Sequence, residues 1–209
     1  MRENNRKISI NDGLHSRLAA LQVLKEVNKD GKYANISLKE NLRKWQLTGR
    51  DAAFVTQLVY GTLEKQISID YFLLKFANMK RVNPWIENIL RMGAYQILFL
   101  ESVPDFAACN EAVKLCEARG LGALKGFVNG TLRNLSKNKE TFLQPENQLT
   151  EAENLSLLYS YPLWLVEQWI KDYGLTVTEE ILRTVDTGNY TTIRVNNLNM
   201  SKDLLKKEL

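Results

Sequence analysis

The stretch PWIENILRMGAYQILFL, residues 84–100, decides what kind of fold this chain can adopt. Pro84 suits a first helical position, where its missing N–H leaves no bond unmade. Behind it, apolar residues cover most of the helical circumference rather than one stripe. That is the pattern of a helix enclosed by others on every side. Such a segment belongs in the middle of a bundle, and the flanking sequence has to supply the ring around it.

Upstream, Leu14, Leu18, Leu21, Leu24 and Val27 recur at three- and four-residue spacing. They predict a helix from about Asp12 to Asn28, with Asn11 or Asp12 as its N-cap. Ala34, Leu38, Leu42 and Trp45 repeat the period. Thr48-Gly-Arg-Asp51 reads as a capping-box-like start in which Asp replaces the usual Glu or Gln, and residues 66–77 continue as a further apolar helix. Downstream, Asp105 precedes a helix that Gly120 closes.

The segment GALKGFVNGTLRNL, 122–135, then carries three stripes. Leu121, Leu124, Val128, Leu132 and Leu135 make an apolar face. Gly122, Gly126 and Gly130 make a second, although an interior glycine costs about 1 kcal/mol relative to alanine. Close approach of a neighbouring helix to Gly126 and Gly130 explains that cost better than approach of a bound phosphate. Lys125, Asn129 and Arg133 make the third. With little strand signal before residue 140 and no period of 20–50 residues, the chain reads as an all-α bundle.

The texture changes further on. KNKETFLQPENQLTEAEN is polar and contains Pro145, which marks a domain boundary: 1–143 as the helical domain, 144–209 as linker helices and the beginning of something else. Pro162 starts the amphipathic PLWLVEQWIKDYG, and Thr178 to Asp186 forms a further short helix. TTIRVN, 191–196, alternates Ile193 and Val195 with polar neighbours and is the best strand pattern in the chain. Ser201 caps SKDLLKKEL, which ends inside a helical pattern, so the chain reads as cut. Trp45, Trp85, Trp164 and Trp169 fall on amphipathic faces and read as core anchors.

Composition narrows the function. The chain has 209 residues, 44% hydrophobic, with no uncharged apolar stretch of membrane length and no apolar segment at its start. Cys109 and Cys116 are two helical turns apart, about 10 Å, too far for a disulfide. His15 is the only histidine, so metal binding has no ligand set. A reduced, cytoplasmic protein is expected, with no membrane and no metal partner. The net charge of +4 conceals a segregation: residues 1–50 carry +6 and residues 119–139 carry +5 with no acid among them. Two such clusters suit a nucleic-acid surface or a solvated basic face.

RDAAFVTQLVYGTLEKQISIDYFL (50–73), ILRMGAYQILFLESVPDFAACNEAVKLCE (89–117) and LKGFVNGTLRN (124–134) resemble the NusB fold family. More closely, they resemble the NusB-like N-terminal domain of the RsmB/Sun ribosomal RNA cytosine-5 methyltransferases. LYSYPLWLVEQWIKDYG resembles the helix linking that domain to the methyltransferase, and TTIRVNNLNMSKDLLKKEL resembles the opening strand and helix of the methyltransferase's RRM-like subdomain. The resemblance implies an all-α NusB-like helical bundle, linker helices and the start of an α+β RRM-like subdomain. It also implies an RNA-binding region that orients small-subunit rRNA for an S-adenosylmethionine-dependent catalytic domain, with NusB-type antitermination or protein docking through the bundle as the alternative.

The family's donor loop and its two cysteine motifs are absent from these residues, so no catalytic, cofactor or metal residue is expected here and the segment alone is expected to be inactive. Cys109 and Cys116 read as buried hydrophobes. Of the basic residues, Arg17 matches the arginine-rich first helix that contacts RNA in NusB relatives. Arg6 and Lys7, beside Arg2, are supported by charge alone, on an arm expected to be disordered without RNA. Lys125, Asn129 and Arg133 complete the expected RNA-binding set, with Asn129 equally readable as a buried amide bonded to backbone. Lys25 adds charge to the first helix, and the two basic segments are expected to converge on one surface.

Overall fold

The computed structural model describes residues 2–79, 82–142, 144, 148–187, 193–196 and 198–208, with the side chains of 2–12 and 185–187 outside the description. The chain divides into two units, residues 1–168 and 169–209. In the first lie α1 (Arg2–Asp30), α2 (Ala34–Lys44), α3 (Gly49–Glu64), α4 (Gln66–Leu74), α5 (Pro84–Phe99), α6 (Asp105–Ala118), α7 (Lys125–Lys137) and α8 (Glu151–Tyr159). A 3-10 turn over Gly122–Leu124 leads into α7. Helix α9 (Leu163–Tyr173) runs through the division, and α10 (Leu175–Thr187) and α11 (Lys202–Glu208) belong to the second unit.

Helix α5 is the axis that its sequence requires. Every residue from Ile86 to Ile97 except Glu87 is buried, and α1, α3, α4, α6 and α7 pack around it. Its start is fixed locally: Asn83 Oδ1 accepts the Trp85 N–H at 2.9 Å, and Pro84 takes the first helical position as expected. The two charges it carries are not wasted on the interior. Arg91, 8% exposed, clamps Asp70 of α4 through Nε–Oδ1 at 2.6 Å and Nη2–Oδ2 at 2.7 Å, and Nη2 also reaches Glu87.

Glycine does press elements together here, at positions the sequence pattern does not mark. The phenol of Tyr95 fills the space that a Cβ on Gly61 would need, joining α3 to α5. A Cβ on Gly93 would stand 2.7 Å from Leu132 Cδ1, so α7 seats its leucine on the bare backbone of α5. By contrast Gly126 and Gly130 have nothing within 4 Å of a notional Cβ and are exposed. The packing explanation for those two glycines is therefore overturned, because the glycine stripe of α7 faces solvent. Leu124 is corrected with it: it lies in the 3-10 turn, 38% exposed, while Val128, Leu132 and Leu135 form the buried face.

Several helix ends differ from expectation for identifiable reasons. Helix α1 begins at Arg2, so neither Asn11 nor Asp12 is its N-cap and the backbone of the arm is helical. Thr48 stands at the N-cap of α3 without a side-chain bond, and the Asp51 carboxylate accepts from Ser16 Oγ of α1 at 3.3 Å. A full capping box does occur, at Thr150 and Glu153 of α8. Gly120 ends α6 at φ +71°, with Leu121 N–H to Cys116 O at 2.8 Å and Gly120 N–H to Glu117 O at 3.0 Å, a Schellman arrangement. Ser201 caps α11 through the Leu204 N–H, as expected.

Helix α4 has no cap of its own at Lys65. Ser160, which closes α8 in a left-handed conformation, supplies one from 93 residues away: its Oγ accepts the N–H groups of Ile67 and Ser68. This bond ties α8 into the first unit. The expected boundary at 143/144 lies where residues 143 and 145–147 are outside the described residues. The strand expected over 191–196 falls in the second unit, partly outside the described residues. Residues 193–196 carry no regular structure, 191 and 192 lie outside the described residues, and no strand occurs among those described to pair with it.

Candidate nucleic-acid interface

Two helical stripes face each other across a surface groove between α6 and α7, with a volume of about 470 Å³. Phe106, Asn110 and Lys114 repeat every four residues along α6, and Asn129 and Arg133 repeat likewise along α7. The spacing follows from the cores beneath: Ala108, Cys109, Ala112, Leu115 and Cys116 bury one side of α6, and Val128, Leu132 and Leu135 one side of α7. What remains on the flank of each helix lines the groove.

The side chains lining it are largely unpaired. Arg133 is exposed, and neither it nor Asn129 nor Asn110 has a hydrogen-bond or ion-pair partner among the described residues. Asn129 is half-buried, and its amide makes no bond to backbone among the described residues, unlike the expected alternative. Phe106 is 71% exposed at the rim. Glu111 forms part of the wall. Its Oε1 accepts from Lys114 Nζ at 2.6 Å, while its Oε2 is buried without a partner. Burial pushes the Cys109 thiol pKa up, and the positive charge of Arg133 opposes that shift.

The remaining expected RNA contacts fall elsewhere. Arg17 is 9% exposed: Nε donates to Gln96 Oε1 at 2.9 Å, Nη1 to the Gly13 carbonyl at 3.1 Å, and the guanidinium lies 5.0 Å from the Phe54 ring centre. That enclosure places Arg17 within the bundle and not among the residues lining the groove. Burial lowers its pKa, and the Glu111 carboxylate works against the shift. Lys125 is exposed at the start of α7 and pairs with Glu117 at 3.1 Å. Arg6 and Lys7 lie in the first turns of α1, with side chains outside the described residues.

The two basic segments do meet at one place, around Trp85. Arg119 Cζ lies 3.9 Å from its ring centre and Lys25 Nζ 5.8 Å, while Arg119 Nη2 donates to Gln22 of α1. Trp85 and Trp45 are half-buried as anchors, the latter edge-on to exposed His15 at 4.8 Å. Trp164, at 67% exposed, is not an anchor. Phe106, Asn110, Glu111 and Lys114 were not legible as site residues. The one signal was that Phe106 falls off the apolar face of its own helix.

Residues 14–137, which contain the groove and all of the bundle's axis, match the NusB family. The chain belongs to the NusB family. NusB itself from Finegoldia magna, a transcription antitermination protein, is 31% identical over 60% of this chain and 93% of its own length. A chain in the crystal structure of antitermination factors NusB and NusE in complex with double-stranded RNA superposes with a TM-score of 0.57, at 23% identity, over 61% of this chain and 97% of that one, which shows the shared fold.

The NusB segment is followed by a second match, residues 161–209, to the ferredoxin-like domain of RsmF/B-like methyltransferases. The probable ribosomal RNA small subunit methyltransferase B of Bacillus subtilis is 35% identical over 86% of this chain and 40% of that protein. The chain thus spans about two fifths of the length of such relatives. The glycines at positive φ, Gly31, Gly49, Gly120 and Gly174, all sit at helix ends, and no glycine turn joins a strand to a helix among the described residues. No helix among the described residues is long and apolar enough to cross a membrane.

Proposed function

We propose that this chain is the RNA-binding region of a small-subunit ribosomal RNA (cytosine-5) methyltransferase. It orients rRNA for S-adenosylmethionine-dependent chemistry carried out by the rest of such a protein in the cytoplasm. The observation that carries the reading is the unpaired Arg133–Asn129 stripe on a NusB-family bundle that leads into a methyltransferase ferredoxin-like segment. A guanidinium held on a rigid helix without a protein partner offers a fork for phosphate oxygens at a defined position. Lys125 adds to it, since its exposed pair with Glu117 is easily exchanged for a phosphate. Arg6 and Lys7, early in α1, add positive charge for RNA phosphates. Arg17 acts as a positioning residue that holds α1 against α5.

NusB-type antitermination, with a protein partner on the bundle, is the competing reading. The match over 161–209 favours the methyltransferase, because it lies outside the NusB segment. The test is fluorescence anisotropy of the chain with a small-subunit rRNA fragment, titrated between about 50 and 200 mM salt. Arg133→Ala weakens binding and lowers the log–log salt slope by about one, with a smaller effect for Lys125→Ala. Unchanged affinity and slope in both variants would hand the bundle to protein docking.

A further inference from the structure

The groove between α6 and α7 has more than phosphate-binding equipment, and the geometry points to a pocket for an unpaired RNA base. This inference rests on the RNA-binding reading above and assigns the chemistry of one subsite within it. Phe106 presents a ring, 71% exposed, at the rim of a groove of about 470 Å³, a space that accommodates one nucleotide. Two primary amides, Asn110 and Asn129, line the groove with no hydrogen-bond partner among the described residues. An amide carries both donors and an acceptor and matches the edge of a base, whereas phosphate can use only its donors.

The charges of the lining leave one cation over. Glu111 and Lys114 pair with each other through Oε1 and Nζ at 2.6 Å and offset one another. Arg133, unpaired on α7, is the group left to take the phosphate. The occupant is therefore a base stacked on Phe106, its edge on Asn129 and Asn110, with its phosphate on Arg133. A base within a duplex has its edge paired and its faces stacked and cannot enter. Stacking on an aromatic ring tolerates any base, so the subsite requires unpaired RNA without demanding a particular sequence.

Three fluorescein-labelled probes of nine residues test this with the whole chain: a mixed-sequence single-stranded RNA, its blunt duplex, and an abasic ribose-phosphate oligomer of the same length. The single strand binds about tenfold more tightly than the abasic oligomer or the duplex, in line with one stacked base. Phe106→Ala and Asn129→Ala each bring the single strand to within about twofold of the abasic oligomer. Arg133→Ala weakens all three probes alike. Phe106 is a surface residue, and an unchanged melting temperature certifies that variant. Equal binding of all three probes, with Phe106→Ala silent and Arg133→Ala weakening them, would overturn the base pocket and leave the phosphate face standing. Failure of every probe to bind would remove both.

Discussion

Arg17 Nε donates to Gln96 Oε1 at 2.9 Å, so a cation on the first helix is held by an amide on the central one. Gln96 in turn donates to the Met92 carbonyl at 2.9 Å, which fixes its oxygen toward Arg17. The pair lies inside the bundle, and its consequence is structural before it is electrostatic. Arg17→Ala leaves the Gln96 oxygen without its donor and empties space beside Phe54, costing about 2–3 kcal/mol. Urea unfolding measures it. A variant that loses RNA affinity at unchanged stability would return Arg17 to the binding surface.

The glycines of α7 and those against α5 respond in opposite senses. Gly130→Ala stabilises the chain by about 0.4–1 kcal/mol, because the added methyl meets nothing and the unfolded chain loses freedom. Gly93→Ala costs about 1–3 kcal/mol by displacing fully buried Leu132, and Gly61→Ala does so by displacing Tyr95. Melting temperatures that move in the same direction for Gly130 and Gly93 would refute the assignment of exposed and packed faces.

Glu26 joins α1 to α2 by accepting from Gln22, Ser37, Asn41 and Lys32. Burial by itself raises its pKa, but the bonds from Gln22, Ser37 and Lys32 outweigh burial and hold it at about 2. A folded-state pKa below the unfolded value stabilises fully above the ordinary glutamate range, and that stabilisation fades as pH falls through it. The stability advantage of the wild type over Glu26→Gln is therefore constant near neutrality and shrinks between about pH 4.5 and pH 2. Denaturation midpoints of both chains across that range give the comparison, and a pH-independent difference would exclude the role.

Cys116 is fully buried and burial pushes its thiol up to about 11, while Cys109 is 3% exposed and also raised. Nucleophilic cysteines are thiolates near neutral pH, and these are not. Ellman's reagent at pH 8 labels neither in the native chain within minutes and both in denaturant. Rapid native labelling of either one would contradict the packing of α6.

The helices were legible along the chain because their determinants are local. Pro84 after Asn83, the all-round apolar pattern of residues 84–100, Gly120 behind α6 and Ser201 before α11 each act within a turn or two of where they stand. Other features depend on partners far away in sequence. Arg17 reads as surface until Gln96, 79 residues on, is known to face it. Gly61 and Gly93 carry no side chain to signal that Tyr95 and Leu132 press on them, while Gly126 and Gly130 suggest packing and have none. The strand pattern of residues 191–196 found no second strand among the described residues, and pairing is what a strand needs. The groove is of the same kind. Phe106 and Asn110 on one helix, Asn129 and Arg133 on another, are ordinary surface residues separately. Only the packing of α6 beside α7 turns two polar flanks into one cleft, because helical periodicity sets which residues share a face and tertiary contact sets what that face meets.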